Sequence, residues 1–165
     1  MLKNRRKNIY DTNLTRISLP SKKYCYFLGV AQCVFTYNVS FVIESILKLS
    51  NDHNWYDLID SEAGTINREV KKTISKVSGP KIYDKFEKVI YMRNRIIHGF
   101  RCTDNKGRQI LGTKERGSGV QFYVDEKYLL DFINLNNELC DALDEYRNSH
   151  QEGSENNTNN ATKSM

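Results

Sequence analysis

Apolar residues recur with the spacing of an α-helix in several separate stretches of the chain. The first stretch begins after Pro20, where Ser21 is a suitable N-cap, and it continues to about Leu49. Its apolar residues cover most of the helical circumference and leave only a narrow polar strip. We expect such a helix either at the centre of a bundle or buried in a dimer.

Two further helical regions follow this first helix. Residues 55–77 have a helical pattern in two pieces that separate near Gly64, and the tripeptide Ser78-Gly79-Pro80 ends them. The next helix begins near Lys81 and ends at Gly99, where glycine is a common helix-ending residue.

The pattern then changes to short β-prone segments. These segments lie at residues 100–102, 109–111 and 120–124, separated by turn-forming and glycine-rich residues. They predict a small β-hairpin inserted before a last helix, which Asp125 caps. The predicted fold class is therefore all-α, an antiparallel helical bundle of four to five helices with a β-hairpin insertion before the last helix.

The chain divides into one domain and two flanking segments. Residues 1–19 lack apolar periodicity and are interpreted as a basic N-terminal arm. Residues 20–148 contain the helical domain, and residues 149–165 form a polar tail without core-forming residues, which predicts disorder.

One cation interrupts the apolar stripe of the helix that begins near Lys81. Arg93 lies at the middle of the apolar arc, where a leucine or isoleucine is expected. A guanidinium in that position is costly unless it is paired or serves a function. Asn94 and His98 are four residues apart and share the neighbouring face. The apolar residues of the arc are Ile82, Phe86, Val89, Ile90, Ile96 and Ile97.

These side chains are suited to cleaving RNA without a metal. Attack of the ribose 2′-OH on the adjacent phosphorus needs a proton acceptor, a proton donor and a cation. Histidine titrates near neutral pH, and arginine donates two hydrogen bonds to a phosphate. A structural alternative stays open, in which Arg93 forms a buried ion pair with a carboxylate such as Glu44 and His98 complements the helix macrodipole. Because one copy has a single histidine here, a two-fold dimer would supply a fuller set of groups.

The composition bears on whether the protein binds a metal and on which cellular compartment it occupies. Four cysteines without CxxC spacing and three histidines do not make a zinc set, so no metal or other cofactor is expected. The N-terminal residues carry no apolar secretory signal, and we expect free thiols in the cytoplasm. No membrane span is expected, since Gln32, Asn38, Glu44 and Lys48 interrupt the apolar window and a charge there costs roughly 2.5–3.5 kcal/mol.

Positive charge is concentrated in two segments of the chain. Seven basic residues and one acidic residue lie between residues 1 and 23, and five basic and two acidic residues lie between 101 and 119. With a net charge of +5, this distribution permits a polyanionic partner. The predicted RNA-binding residues are the basic Arg95, Arg101, Lys106 and Arg108, with Tyr91 and Tyr123 stacking on bases. The alternative is a solvated basic loop with ordinary hairpin aromatics.

The sequence Arg93-Asn94-Arg95-Ile96-Ile97-His98 resembles the signature of HEPN domains, the nucleotide-binding helical domains of prokaryotes and some eukaryotes. In that signature, four to six residues separate an arginine from a histidine, and an asparagine often follows the arginine. The resemblance covers residues 20–148 and implies a helical bundle that dimerises, with the two motifs facing each other across a cleft. It also implies that Arg93 and His98 are the catalytic pair and that Asn94 orients the scissile phosphate or the histidine.

The resemblance implies a metal-independent endoribonuclease of toxin–antitoxin, abortive-infection or CRISPR defence systems, with RNA as its substrate. Some family members are not nucleases, so a non-catalytic module that binds RNA, nucleotide or a protein partner is the alternative. Glu44 and Lys48 match a supporting pair on the first helix, whereas Asp52 departs from the family pattern. Phe100 stands where partner-regulated members have a nucleotide-accepting tyrosine, so control at that position is not expected, and either a different inhibitory protein or none holds the activity in check.

Overall fold

The computed structural model describes Thr15 and residues 17–161, with side chains described as far as residue 150. The predicted basic arm at residues 1–19 therefore lies largely outside the described residues. The described elements are α1 (Lys22–Leu47), α2 (Trp55–Ile59), α3 (Ala63–Lys72), α4 (Ile74–Ser78), α5 (Lys81–Ile97), β1 (Phe100–Thr103), β2 (Gln109–Lys114), β3 (Gln121–Val124) and α6 (Glu126–Ala161).

The protein is mostly helical with a β insertion before its last helix, as the sequence pattern predicts. The described part contains six helices rather than four to five, because residues 55–77 break twice. The second break is at Thr73, whose backbone leaves the helical region at φ −116° and ψ −84°. Its hydroxyl donates to the Glu69 carbonyl at 2.6 Å. Gly64, the predicted break point, lies inside α3.

The bundle is not uniformly antiparallel. Lys23 near the start of α1 pairs with Glu126 at the start of α6, and Asn38 donates to the Asn136 side chain further along both helices. These contacts show that α1 and α6 run in the same direction, whereas pairing of Lys85 with Glu138 and of Lys81 with Glu145 makes α5 antiparallel to α6. Short turns force antiparallel neighbours, but α1 and α6 are far apart in sequence and are not so constrained.

The insertion is a three-stranded antiparallel sheet rather than a hairpin, because β2 pairs with both β1 and β3. The β1–β2 turn at residues 104–108 and the β2–β3 loop at residues 115–120 lie at opposite ends of β2. Since β2 has six residues, these two connections are roughly 17 Å apart. Only one of them can therefore lie beside the end of α5.

Tyr24 anchors the sheet to the start of α1 through two hydrogen bonds. Its buried hydroxyl donates to the Val124 carbonyl at 2.6 Å and accepts from the Leu111 N–H at 3.1 Å. This tyrosine belongs to a small apolar cluster under the sheet, while the main core lies between α1, α3, α5 and α6. Ile96 packs against both clusters, so the end of α5 is held between the bundle and the sheet.

Both α1 and α6 begin at their predicted N-cap residues. Ser21 caps α1 by accepting from the Tyr24 N–H, and Asp125 accepts from the Tyr128 N–H before α6. The structure continues α6 to Ala161, past residue 149, where the polar tail is predicted to begin.

By length and composition, α1 is the one helix of the described part that is apolar enough to cross a membrane. Of its 18-residue apolar window, 39 % is buried inside the protein. A core helix of a soluble protein meets the same test, so this property alone does not assign α1 to a membrane.

Candidate active site

The end of α5 and the β2–β3 loop enclose a groove of about 420 Å³. Asn94 and His98 contribute to one wall because they lie one helical turn apart on α5. Two of the three predicted catalytic residues therefore share a groove with the insertion. The full set of lining residues is Asn94, Arg95, His98, Lys114, Glu115, Arg116, Gly117 and Gly119.

His98 is the C-cap residue of α5 and is exposed at the edge of this groove. Its backbone N–H donates to the Asn94 carbonyl at 3.1 Å, which fixes the position of its side chain at the helix end. Within the described part of the chain, its ring makes no hydrogen bond or ion pair. An imidazole in this state can accept or donate a proton to a bound molecule.

Gly99 follows His98 and turns the chain directly from α5 into β1. It does not have a positive φ, which is the usual reason for a glycine after a helix. Instead, an added Cβ would lie 2.9 Å from the Ile96 carbonyl oxygen and 3.2 Å from the Gly112 carbonyl oxygen. Close approach of the helix end to β2 therefore requires glycine here.

Arg93 is half-buried and has no carboxylate partner among the described residues. Its guanidinium lies over the Phe35 ring, 5.2 Å from the ring centroid, and burial lowers the pKa of Arg93. Its Nε is buried and has no hydrogen-bond partner. The alternative of an ion pair with Glu44 is not observed: Glu44 is exposed and lies nine residues, roughly 13.5 Å, further along α1 than Phe35.

Asn94 connects Arg93 with the groove. Arg93 and His98 are five residues apart, so they project about 140° apart around the helix axis. Arg93 does not line the groove, but its Nη1 donates to Asn94 Oδ1 at 3.3 Å. The structure thus joins Arg93 to Asn94, and Asn94 to the groove that His98 lines.

Two residues on the exposed face of α5 hold the β2–β3 loop. The Tyr91 hydroxyl donates to the Glu115 carboxylate, with both oxygens at 2.6 Å, and this bond raises the pKa of Tyr91. One turn later, Arg95 Nη1 donates to the Lys114 carbonyl, and the Arg95 guanidinium lies 5.8 Å from the Tyr91 ring centroid. The Tyr91 ring remains 42 % exposed, so its stacking on a base stays a prediction.

The other predicted RNA-binding residues lie elsewhere. Arg101 donates through Nε to Gln109, and Arg108 pairs with Asp104 at 2.6 Å. Lys106 is exposed in the same β1–β2 turn, at the far end of β2 from the groove. The structure does not bring these three cations together with Asn94 and His98.

The remaining predicted positions are also away from the groove. Tyr123 donates to Asn105 in the β1–β2 turn. Glu44 and Lys48 are exposed near the end of α1 and form no ion pair with each other in the part described. Phe100 packs its ring against Gly112, where an added Cβ would lie 2.8 Å from the ring.

Lys114 and Arg116 are the site residues that sequence reasoning missed. Both are exposed cations that line the groove. The available signal was a loop rich in basic residues and glycine, Lys114–Gly119, between two predicted strands. That signal becomes specific only once the loop is known to lie against α5.

No protein-family model, curated protein or solved structure matches the chain. Among the described residues, no three His, Cys, Asp or Glu side chains are placed to hold a metal ion. The functional argument therefore starts from the geometry of the groove and of Arg93.

Proposed function

We propose that the protein is a HEPN-type, metal-independent endoribonuclease that cleaves RNA by attack of the ribose 2′-OH. The observation that carries this proposal is Arg93, a half-buried cation that has no carboxylate partner among the described residues. Its hydrogen bond to Asn94 links it to a groove whose edge carries His98, an exposed residue whose ring bonds to no described side chain or backbone group. A structural cation would be expected to have a buried counterion, and the described part of the chain offers none to Arg93.

Each of the three residues has a distinct part in this reaction. The His98 ring takes the 2′-OH proton or delivers a proton to the departing 5′ oxygen. The O2′–P bond forms as the P–O5′ bond breaks, leaving a 2′,3′-cyclic phosphate and a 5′-hydroxyl. The Asn94 amide orients the phosphate, and Arg93, which does not line the groove within one copy, stabilises the charge on the phosphoryl oxygens once a homodimer brings the two motifs together.

The mechanism needs two proton carriers, and we place the second on another copy of the chain in a homodimer. Exposed residues with helical spacing on α1 support this: Tyr26 is 67 % exposed, Tyr37 is 58 % exposed, and Cys33 between them is also exposed. Ile97, within the motif, is 44 % exposed. Sedimentation of the wild-type protein as a monomer at all concentrations would contradict the dimer.

The biological setting that best fits such an enzyme is a cytoplasmic toxin or phage-defence effector held in check by an inhibitory protein. The support is the resemblance of the Arg93–His98 motif to those systems. Induced expression of the wild-type chain is expected to arrest growth, while His98→Ala is tolerated. Equal growth arrest by both chains would argue against toxicity through this site.

A second candidate is a non-catalytic module that binds RNA in the same groove. The observation that favours it is the separation of Arg93 and His98 by about 140° around α5 within one copy. A chain that stays monomeric would have a basic groove without an assembled catalytic pair. This candidate predicts RNA binding that weakens with salt and no cleavage under any condition.

The deciding experiment incubates the purified chain with single-stranded RNA in EDTA. Replacing His98, Arg93 or Asn94 with alanine is expected to slow cleavage, for His98 by roughly 10²–10⁴-fold as is typical for a general acid or base. The matched control is His150→Ala, which removes an exposed histidine on α6. Cleavage that survives both His98→Ala and Arg93→Ala would exclude the proposed site.

A further inference from the structure

Besides Arg95, which holds the loop, the groove carries two cations that the catalytic scheme does not use. Lys114 and Arg116 are exposed, line the groove, and make no side-chain hydrogen bond or ion pair with the described residues. The one acidic lining residue is Glu115, and both of its carboxylate oxygens accept from the Tyr91 hydroxyl. The groove is therefore net positive and suited to an anion.

The backbone of the β2–β3 loop adds donors of its own. The Glu115 N–H donates to the Val120 carbonyl at 2.7 Å, and the Gly119 N–H donates back to the Glu115 carbonyl at 3.2 Å. The intervening N–H groups, at residues 116–118, donate to no atom of the described protein. Gly117 and Gly119 have φ values of 96° and 72°, which favour glycine. Successive free N–H groups in a turn of this kind make a concave anion-binding site.

This loop is also held in place before any ligand binds. Tyr91 and Arg95, one turn apart on α5, bond to the Glu115 carboxylate and the Lys114 carbonyl. Binding therefore does not have to order the whole loop, which lowers its entropic cost. The anchors leave the Lys114 and Arg116 side chains free to contact a ligand.

We propose that Lys114–Gly119 is a phosphate-binding loop. It holds a backbone phosphate of single-stranded RNA that adjoins the scissile phosphate at His98. The choice of RNA as the anion rests on the proposed function, whereas the anion site follows from the loop itself. The loop replaces the β1–β2 turn, with Lys106 and Arg108, as the part of the insertion that contacts RNA.

The test measures binding of the full chain to a 2′-O-methyl RNA oligonucleotide, which lacks the attacking hydroxyl. The double variant Lys114→Gln/Arg116→Gln is compared with Lys76→Gln/Lys106→Gln, which removes two exposed lysines far from the groove. The loop variant is expected to bind about tenfold more weakly, and its log–log salt slope should fall by about 0.7, the value for one lost phosphate contact. The control pair should keep the wild-type slope.

Equal losses in the two double variants, or no RNA binding by the wild-type chain, would overturn the phosphate-binding loop. Thermal unfolding of each variant checks that the fold is kept. A wild-type chain that binds through the loop and never cleaves RNA would support the loop and refute the nuclease. A loop variant that binds and cleaves RNA like wild type would refute the loop and leave the nuclease standing.

Discussion

Replacing Arg93 with methionine separates the structural cost of this cation from its use in catalysis. Methionine keeps an apolar, flexible side chain in contact with the Phe35 ring and removes the charge. In the wild-type protein the guanidinium lies 5.2 Å from that ring centroid and donates one long hydrogen bond to Asn94. Its buried Nε has no partner.

The expected change in stability is small because the lost and relieved contributions nearly cancel. The contact with Phe35 contributes about 0.5–1 kcal/mol, and the bond to Asn94 about 0.5–1.5 kcal/mol. Removing the unpartnered Nε relieves about 1–3 kcal/mol. The free energy of unfolding should therefore stay within about 1 kcal/mol of wild type, a shift of roughly 2–4 °C in Tm for a chain of this size. Breaking a buried ion pair would instead cost about 3–5 kcal/mol.

Urea unfolding followed by circular dichroism gives the stability, and RNA cleavage in EDTA gives the activity. Arg93→Met should unfold close to wild type and cleave RNA much more slowly than wild type. The matched control is Arg147→Met, since Arg147 lies 4.9 Å from the Phe41 ring centroid but pairs with Asp144 away from the groove. That variant should keep wild-type cleavage. Destabilisation of Arg93→Met by 3 kcal/mol or more, on the order of a broken ion pair, or wild-type cleavage by it, would refute the reasoning.

Three further predictions concern the surroundings of the site and the bundle. Gly99→Ala should lower the free energy of unfolding by roughly 1–3 kcal/mol in urea, because the new Cβ would meet a carbonyl oxygen at 2.9 Å; an unchanged midpoint would contradict this. Tyr91→Phe should speed amide hydrogen exchange at Glu115 and Gly119, whose N–H groups are bonded within the β2–β3 loop, because Glu115 loses its hydroxyl donor at 2.6 Å. Unchanged exchange at both positions would show that the bond does not hold the loop. The hydrogen bond from Lys72 and the neighbouring His53 lower the pKa of Glu69 below its usual 4.5. The ionised Glu69 therefore contributes its full stabilisation above pH 4.5, and this stabilisation is lost as the pH falls through the lowered pKa. The Tm of wild type should therefore fall more steeply below pH 4.5 than that of Glu69→Gln, and parallel curves would contradict the assignment.

The helices with strong patterns were predictable from sequence. Of the groove, the wall on α5 was predictable and the wall on the β2–β3 loop was not. The caps at Ser21 and Asp125 and the end of α5 follow from local rules. The extra break at Thr73 was not predicted, because a threonine hydroxyl that bonds the preceding turn is compatible with a continuous helix as well as a broken one.

The choice of loop beside the site depends on contacts that no local pattern encodes. Because β1 follows α5 directly, its antiparallel pairing with β2 brings the end of β2 back to α5, and Tyr91 bonds to Glu115 across 24 residues of sequence. From the sequence alone, the basic residues in the β1–β2 turn, including Lys106, were therefore as good candidates for RNA binding as Arg116. Similarly, glycine at position 99 was predicted as a helix-ending residue, but its physical role is the close approach of α5 to β2.

The central claim, that the groove at Asn94 and His98 cleaves RNA by attack of the 2′-OH, is tested most directly by the ends of the products. Mass spectrometry of RNA digested by the wild-type chain in EDTA should find a 2′,3′-cyclic phosphate on one fragment and a 5′-hydroxyl on the other. Fragments that end in a 3′-hydroxyl, or cyclic phosphates that persist with His98→Ala, would contradict the account.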